Sequence, residues 1–127
     1  MSTILKLMLI ATGGAIGALL RFAIAGWTHR LAGLDFPYGT LTVNLLGCLA
    51  IGFLWSLSER AAFDPALAAF VFVRLLGSFT TFSTYGLELL NLIRSGNIAG
   101  ALGYFAFSNV VGIAAVALGY FAGRIGA

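Results

Sequence analysis

The sequence predicts an all-α membrane protein with four transmembrane helices, the third of them broken at mid-membrane. Three observations carry that prediction. First, 61% of the 127 residues are hydrophobic and only 9% are charged, against about 25% charged in an ordinary soluble domain. A soluble fold this short leaves too much of its surface exposed to hide so much apolar material. Second, the chain divides into four apolar runs, each near the roughly 20 residues that a helix needs to cross the hydrocarbon. Third, the third run is interrupted by GSFTTFST (77–84), a glycine-led patch in which five of eight residues carry a hydroxyl.

The first span is expected over residues 4–27, with Arg21 near enough to one end to snorkel. Arg21 also interrupts the neutral stretch that a secretory signal requires, and further spans follow, so this segment is expected to be retained rather than cleaved. Residues 28–38 read as a connector holding His29, Arg30, Asp35 and Pro37, with His29 an ordinary solvated residue. The second span covers 39–57 inside a charge-free run, and 58–64 is the next loop. Asp64 followed by Pro65 reads as an N-cap with proline in the first turn. The third span then covers 65–92, Arg94, Ser95 and Gly96 make a tight turn, and the fourth span covers 98–123. No linker is visible, so residues 1–127 form one membrane domain.

Glycine is abundant, 17 residues in all, and in membranes it lets helices approach closely. Small residues four apart (Gly13 with Gly17, Ser108 with Gly112, Gly119 with Gly123) mark possible contacts of that kind. The single cysteine, Cys48, excludes an internal disulfide and reads as a small apolar filler. The net charge of +3 comes from seven scattered Lys and Arg, which form no patch for nucleic acid. Four spans put both termini on one side, with Lys6, Arg60 and Arg124 there and Arg21, Arg30 and Arg94 opposite. Basic residues in short loops normally set orientation. Three against three sets none, so the count predicts insertion both ways and pairing as an antiparallel, dual-topology homodimer.

Polar groups at membrane depth are costly and mark function by default. Here they are Asn44, Arg74, Ser78, Thr80, Thr81, Ser83, Thr84, Glu88, Ser108 and Asn109. No paired carboxylates, metal-ligand cluster or nucleophile with its base is among them, so the chain is not read as an enzyme. Gly77 and Ser78 suggest a helix that stops and restarts, a feature tolerated in a membrane only where it is buried in protein or lines a wet cavity. Carbonyls freed at such a break can hold a cation. After the break, a helical repeat puts Thr80, Thr84 and Glu88 in one stripe with Thr81 beside it, and Phe82 and Tyr85 along the edge. Hydroxyl hydrogens and the positive rims of aromatic rings both attract an anion. Asn44 adds an amide donor, although a plain interhelical hydrogen bond accounts for it equally well. Glu88 lies near the end of its span, within reach of the interface.

Arg74 lies about nine residues beyond Pro65, which at about 1.5 Å per residue is roughly 14 Å into the bilayer. Two readings stand. Its side chain snorkels along the helix, or its guanidinium bonds the carbonyls freed at the break and serves as a tethered cation.

GGAIGALLR (13–21), PYGTLTVNLLG (37–47) and GSFTTFSTYGLE (77–88), together with Tyr104 and Ser108, resemble the Fluc (CrcB) family of small bacterial fluoride channels. The resemblance covers all four spans. It implies an antiparallel homodimer in the bacterial inner membrane that passes fluoride out of the cell and lowers its toxicity. It also implies that Asn44 faces the ion pathway and that Phe82 and Tyr85 meet the ion with their ring edges. Ser83 and Thr84 then belong to a polar track with Glu88 beyond it, and Tyr104 and Ser108 are pore residues of the fourth helix. The backbone carbonyls of Gly77 and Thr80, two from each subunit, hold a structural sodium ion (Na+) that is not transported. The sequence departs from the family pattern at three places. Tyr85 stands for phenylalanine, Ser78 for a second glycine, and Arg74 for glycine one turn before the sodium-binding carbonyls.

Two other classes compete. A small dual-topology multidrug exporter also has four spans, but it needs a carboxylate in the first, and residues 4–27 contain none. A non-transporting assembly subunit leaves the polar track without a role.

Overall fold

A computed structural model describes residues 2–60, 64, 67–68 and 70–125. The described residues are helical and form no strand. Helix α1 is Thr3–Ala32 and α2 is Tyr38–Arg60. A π-helical segment, Phe70–Leu75, runs into the short α3, Leu76–Phe79. Two extended residues follow, and then α4 (Phe82–Arg94) and α5 (Ile98–Arg124). Three helices, α1, α2 and α5, are each long and apolar enough to cross a membrane.

Helix ends follow local chemistry. Ser2 caps α1 by accepting the Leu5 N–H at 3.2 Å. The helix runs five residues beyond its expected end, because nothing from Thr28 to Ala32 breaks it and His29 and Arg30 suit its negative C-terminal pole. It stops at Gly33, whose φ of +88° favours glycine and whose N–H returns to the His29 carbonyl at 2.9 Å. His29 is therefore a helical residue and not part of a loop. Pro37 precedes α2, and its carbonyl takes the Leu41 N–H at 3.2 Å. The Ala68 N–H donates to the Asp64 carbonyl at 3.0 Å, whereas the expected first-turn Pro65 lies outside the described residues. Asn97 caps α5 by accepting the Gly100 N–H at 2.9 Å.

Glycines set the close approaches. The most extensive contact is between α2 and α5. There a side chain at Gly52 would collide with the Val116 carbonyl, and one at Gly119 with the Leu49 carbonyl. Gly13 and Gly17 do the same for α1: a Cβ at Gly13 would lie 2.9 Å from Arg74 Cβ, and one at Gly17 would strike Ser78 Oγ. The third small pair differs, since a Cβ at Gly112 would make only ordinary contact, 3.7 Å from Cys48 Sγ.

Two buried clusters lie between the helices. One joins Val43, Leu76 and Phe79, and the other joins Tyr85, Leu92, Ala101 and Tyr104. Large apolar residues such as Leu19, Phe22, Ile113 and Phe121 point outward, as suits helices surrounded by lipid. At one end Glu59 ties α2 to α5. Its carboxylate accepts the Trp55 indole N–H at 3.2 Å and the Tyr120 hydroxyl at 2.8 Å, and pairs with Arg124 at 3.5 Å.

Candidate functional site

The chain is helical to Phe79, extended at Thr80 (φ −88°, ψ 159°) and Thr81 (φ −147°, ψ 118°), and helical again from Phe82. Side chains replace the backbone bonds lost there. Asn44, on α2, clamps Thr81 from both sides: its Oδ1 accepts the Thr81 N–H at 2.8 Å, and its Nδ2 donates to the Thr81 carbonyl at 3.0 Å. In an unbroken helix that N–H would donate to the Gly77 carbonyl, four residues back. The clamp therefore frees the Gly77 carbonyl. Asn44 does make the interhelical bond expected of it, and one Nδ2 hydrogen is left over.

Thr81 also restarts the helix. Its Oγ1 accepts the Thr84 N–H at 3.2 Å and bonds the Thr84 hydroxyl at 3.0 Å. Thr80 instead turns back, donating its hydroxyl to the Leu76 carbonyl at 3.1 Å and setting its methyl against Gly47. Ser78 likewise donates to the Arg74 and Leu75 carbonyls, at 2.9 and 3.1 Å.

Two clefts flank Thr81, and Thr81 lines both. One, of about 340 Å³, is bounded by Asn44, Gly77, Thr80, Phe82, Tyr85, Ser108 and Asn109. The other, of about 560 Å³, is bounded by Arg21, His29, Thr40, Thr84 and Glu88. The Thr40 hydroxyl donates to the Glu88 carboxylate, and His29 packs against Gly39 with its Nδ1 buried and unpartnered among the described residues.

The expected stripe of Thr80, Thr84 and Glu88 is thus divided. Because α4 begins only at Phe82, Thr80 falls off its helical repeat and faces the smaller cleft. Thr81 takes its place beside Thr84 and Glu88. Ser83 is exposed, 3.5 Å from Thr81 Oγ1, and lines neither cleft.

The rings form a chain. Phe82 and Tyr85 lie 5.6 Å apart, Tyr85 meets Tyr104 edge-on at 5.0 Å, and Tyr104 meets Phe36 edge-on at 5.3 Å. Their exposures are opposite: Phe82 is 83% exposed and Tyr104 0%. Tyr104 is placed in the core of the chain, lines neither cleft, and has a hydroxyl without a partner among the described residues.

Arg74 lies in the π segment, one turn before Gly77, and its Nε is buried without a hydrogen-bond partner among the described residues. π-Helical turns are rare and recur at functional sites. Composition and spacing did not single out His29 or Arg21 for this region. Arg21 and His29 lie eight residues apart on α1, and that spacing was the available signal once the helix is known to continue to Ala32.

Comparison with known proteins places the chain in a family. The chain is 42% identical over 120 residues to a protein of Parabacteroides distasonis, covering 94% of each. It is 45% identical over 120 residues to one of Chloroflexus aurantiacus, covering 94% of this chain and 95% of the relative. With one of Salinibacter ruber it shares 44% over 115 residues, 91% of this chain and 86% of the relative. All three relatives are named fluoride-specific ion channel FluC. Residues 8–120 match the family described as CrcB-like protein, Camphor Resistance (CrcB), and the chain belongs to that family.

Proposed function

We propose that the chain is a fluoride-specific ion channel, not an enzyme, and that it exports fluoride passively across the bacterial inner membrane, lowering cytoplasmic fluoride toxicity. The observation that carries the reading is the break at Thr80–Thr81, where two clefts, each holding a few polar groups, share Thr81 as a common wall. Fluoride is small and strongly hydrated, so a pathway must replace its water with hydrogen donors and ring edges. The smaller cleft offers the spare amide hydrogen of Asn44, the Ser108 hydroxyl and the rings of Phe82 and Tyr85. The larger cleft offers Thr84 and the positive charge of Arg21. The Thr40 hydroxyl gives its one hydrogen to the Glu88 carboxylate and so holds that acid at the cleft wall rather than serving the ion as a donor.

The functional unit in this reading is an antiparallel, dual-topology homodimer with four spans per chain, the third being the segment broken at Thr80–Thr81. Phe82 supports it: its ring is exposed beside the polar groups of the break and offers a second copy a surface to pack against. Sodium fits the same arrangement. The Gly77 carbonyl has lost its helical donor to Asn44, and Thr80 has an extended backbone; carbonyl oxygens are suitable ligands for a hard cation. Two such oxygens per chain are too few, and a second copy doubles them. When bound, sodium supplies a fixed positive charge joining the two breaks. Arg74, one turn away, is a tethered charge competing for that role.

A multidrug exporter is disfavoured because α1 carries no carboxylate along its whole length. The decisive measurement is efflux from liposomes containing the purified protein. Electrogenic fluoride efflux is expected, and Phe82→Ile should abolish it while the dimer still forms. Intact vesicles that hold their fluoride despite the wild-type protein end the channel reading.

A further inference from the structure

Asn109, on α5, has both amide hydrogens engaged. Its Nδ2 donates to the Phe105 carbonyl at 2.8 Å and to the Tyr85 hydroxyl oxygen at 3.2 Å. A backbone carbonyl only accepts, so the amide nitrogen, and not its oxygen, must face Phe105. The same nitrogen faces Tyr85, and the Tyr85 oxygen is therefore the acceptor in that contact. A phenol that accepts through its oxygen still has its own hydrogen to give. Conjugation keeps that hydrogen near the ring plane, where it has two positions, and Asn109 disfavours the one on its side. No acceptor for it is present among the described residues. Both residues line the smaller cleft, so the hydrogen is left for an occupant of that cleft.

We propose that Asn109 is a positioning residue for anion selection, holding the Tyr85 hydroxyl as a hydrogen donor to fluoride in the cleft lined by α2, α4 and α5. The inference rests on the channel reading above. Of the halides, fluoride is the strongest hydrogen-bond acceptor, so a fixed phenolic donor favours it most. The Tyr85 ring is held independently, edge-on against Tyr104, and Asn109 fixes only the hydroxyl hydrogen. The pair thus separates orientation from packing.

Fluoride efflux from liposomes, measured against fluoride concentration for wild type, Tyr85→Phe, Asn109→Leu and the double variant, tests the proposal. Each single change should raise the half-saturating concentration by about tenfold, the size of one lost charge-assisted hydrogen bond. The double variant should be no worse than Tyr85→Phe, because Asn109 has nothing left to orient. Additive losses overturn the proposal, since Asn109 would then act apart from Tyr85. So does an unchanged half-saturation in Tyr85→Phe, the change that keeps the ring and decides the matter alone if Asn109→Leu fails to fold. A wild-type protein that passes no fluoride ends the channel reading itself and the inference with it.

Discussion

Asn44 is the position where one substitution should do most to the break, and Asn44→Leu tests that with little change in volume. The clamp consists of two hydrogen bonds to Thr81, at 2.8 and 3.0 Å. If water fully replaces them, the loss is the net value of two hydrogen bonds, together about 1–3 kcal/mol. If the Thr81 N–H and carbonyl are stranded, each costs about 1–3 kcal/mol and the pair about 2–6 kcal/mol. Thr81 is half-buried, so the loss should fall near the overlap, at about 3 kcal/mol. Part of it is recovered if the Thr81 N–H swings back to the Gly77 carbonyl and closes the helix. That escape removes the free carbonyl, so fluoride efflux should fall even in molecules that remain folded. Unfolding by detergent titration measures the first effect and liposome efflux the second. Asn44→Leu with wild-type stability and wild-type flux refutes the clamp.

Gly52→Ala should destabilise by about 1–3 kcal/mol, the usual cost of overpacking, because its Cβ runs into the Val116 carbonyl. Gly77→Ala meets nothing within 4 Å in the protomer, so a loss of dimer on gel filtration would place a second copy against the break, and an unaltered dimer would count against that placement. A cysteine introduced at position 2 in a Cys48→Ala background should be labelled from both faces of the membrane; labelling from one face alone refutes dual topology. Removing sodium separates the two cation readings. Flux that survives in wild type but collapses in Arg74→Gly supports the tethered charge, and flux that collapses equally in both refutes it.

The long apolar helices were readable because their signal is compositional. Any ordering of residues so poor in charge must avoid water, whereas the caps at Ser2, Gly33 and Asn97 were not singled out, although they act through local rules. The glycine pairs at Gly13 and Gly119 were readable for a similar reason, since spacing by four puts both members on one face. Boundaries failed where no breaker acted: α1 continues through His29 to Ala32, and that continuation brings His29 against Gly39 and into the wall of the larger cleft. The site was less legible. Its content of hydroxyls and rings was plain, but its geometry depends on partners 37 residues apart in sequence, such as Asn44 with Thr81. Asn109 was noted as a polar group at membrane depth, but its bond to Tyr85 escaped for the same reason, the partner being on another helix, 24 residues away.

Thr81 shows why a stripe drawn from helical repeat could not survive contact with the fold. A repeat of about 100° per residue presumes that the backbone stays helical, and the hydroxyls that make the stripe are the groups that interrupt it. Threonine side chains compete with backbone donors and acceptors, and so favour caps over helix interiors. Thr80 and Thr81 follow that tendency in opposite directions, one back toward Leu76 and the other forward to Thr84. Their divergence puts Thr80 into the smaller cleft, and Thr81 belongs to both. One residue thus caps α4, takes the Asn44 clamp and forms the wall between the two clefts. A substitution at Thr81 would act on all three at once and could not tell them apart. Asn44 and Tyr85 are the more informative positions, since each touches the break or the cleft through a single identifiable set of hydrogen bonds.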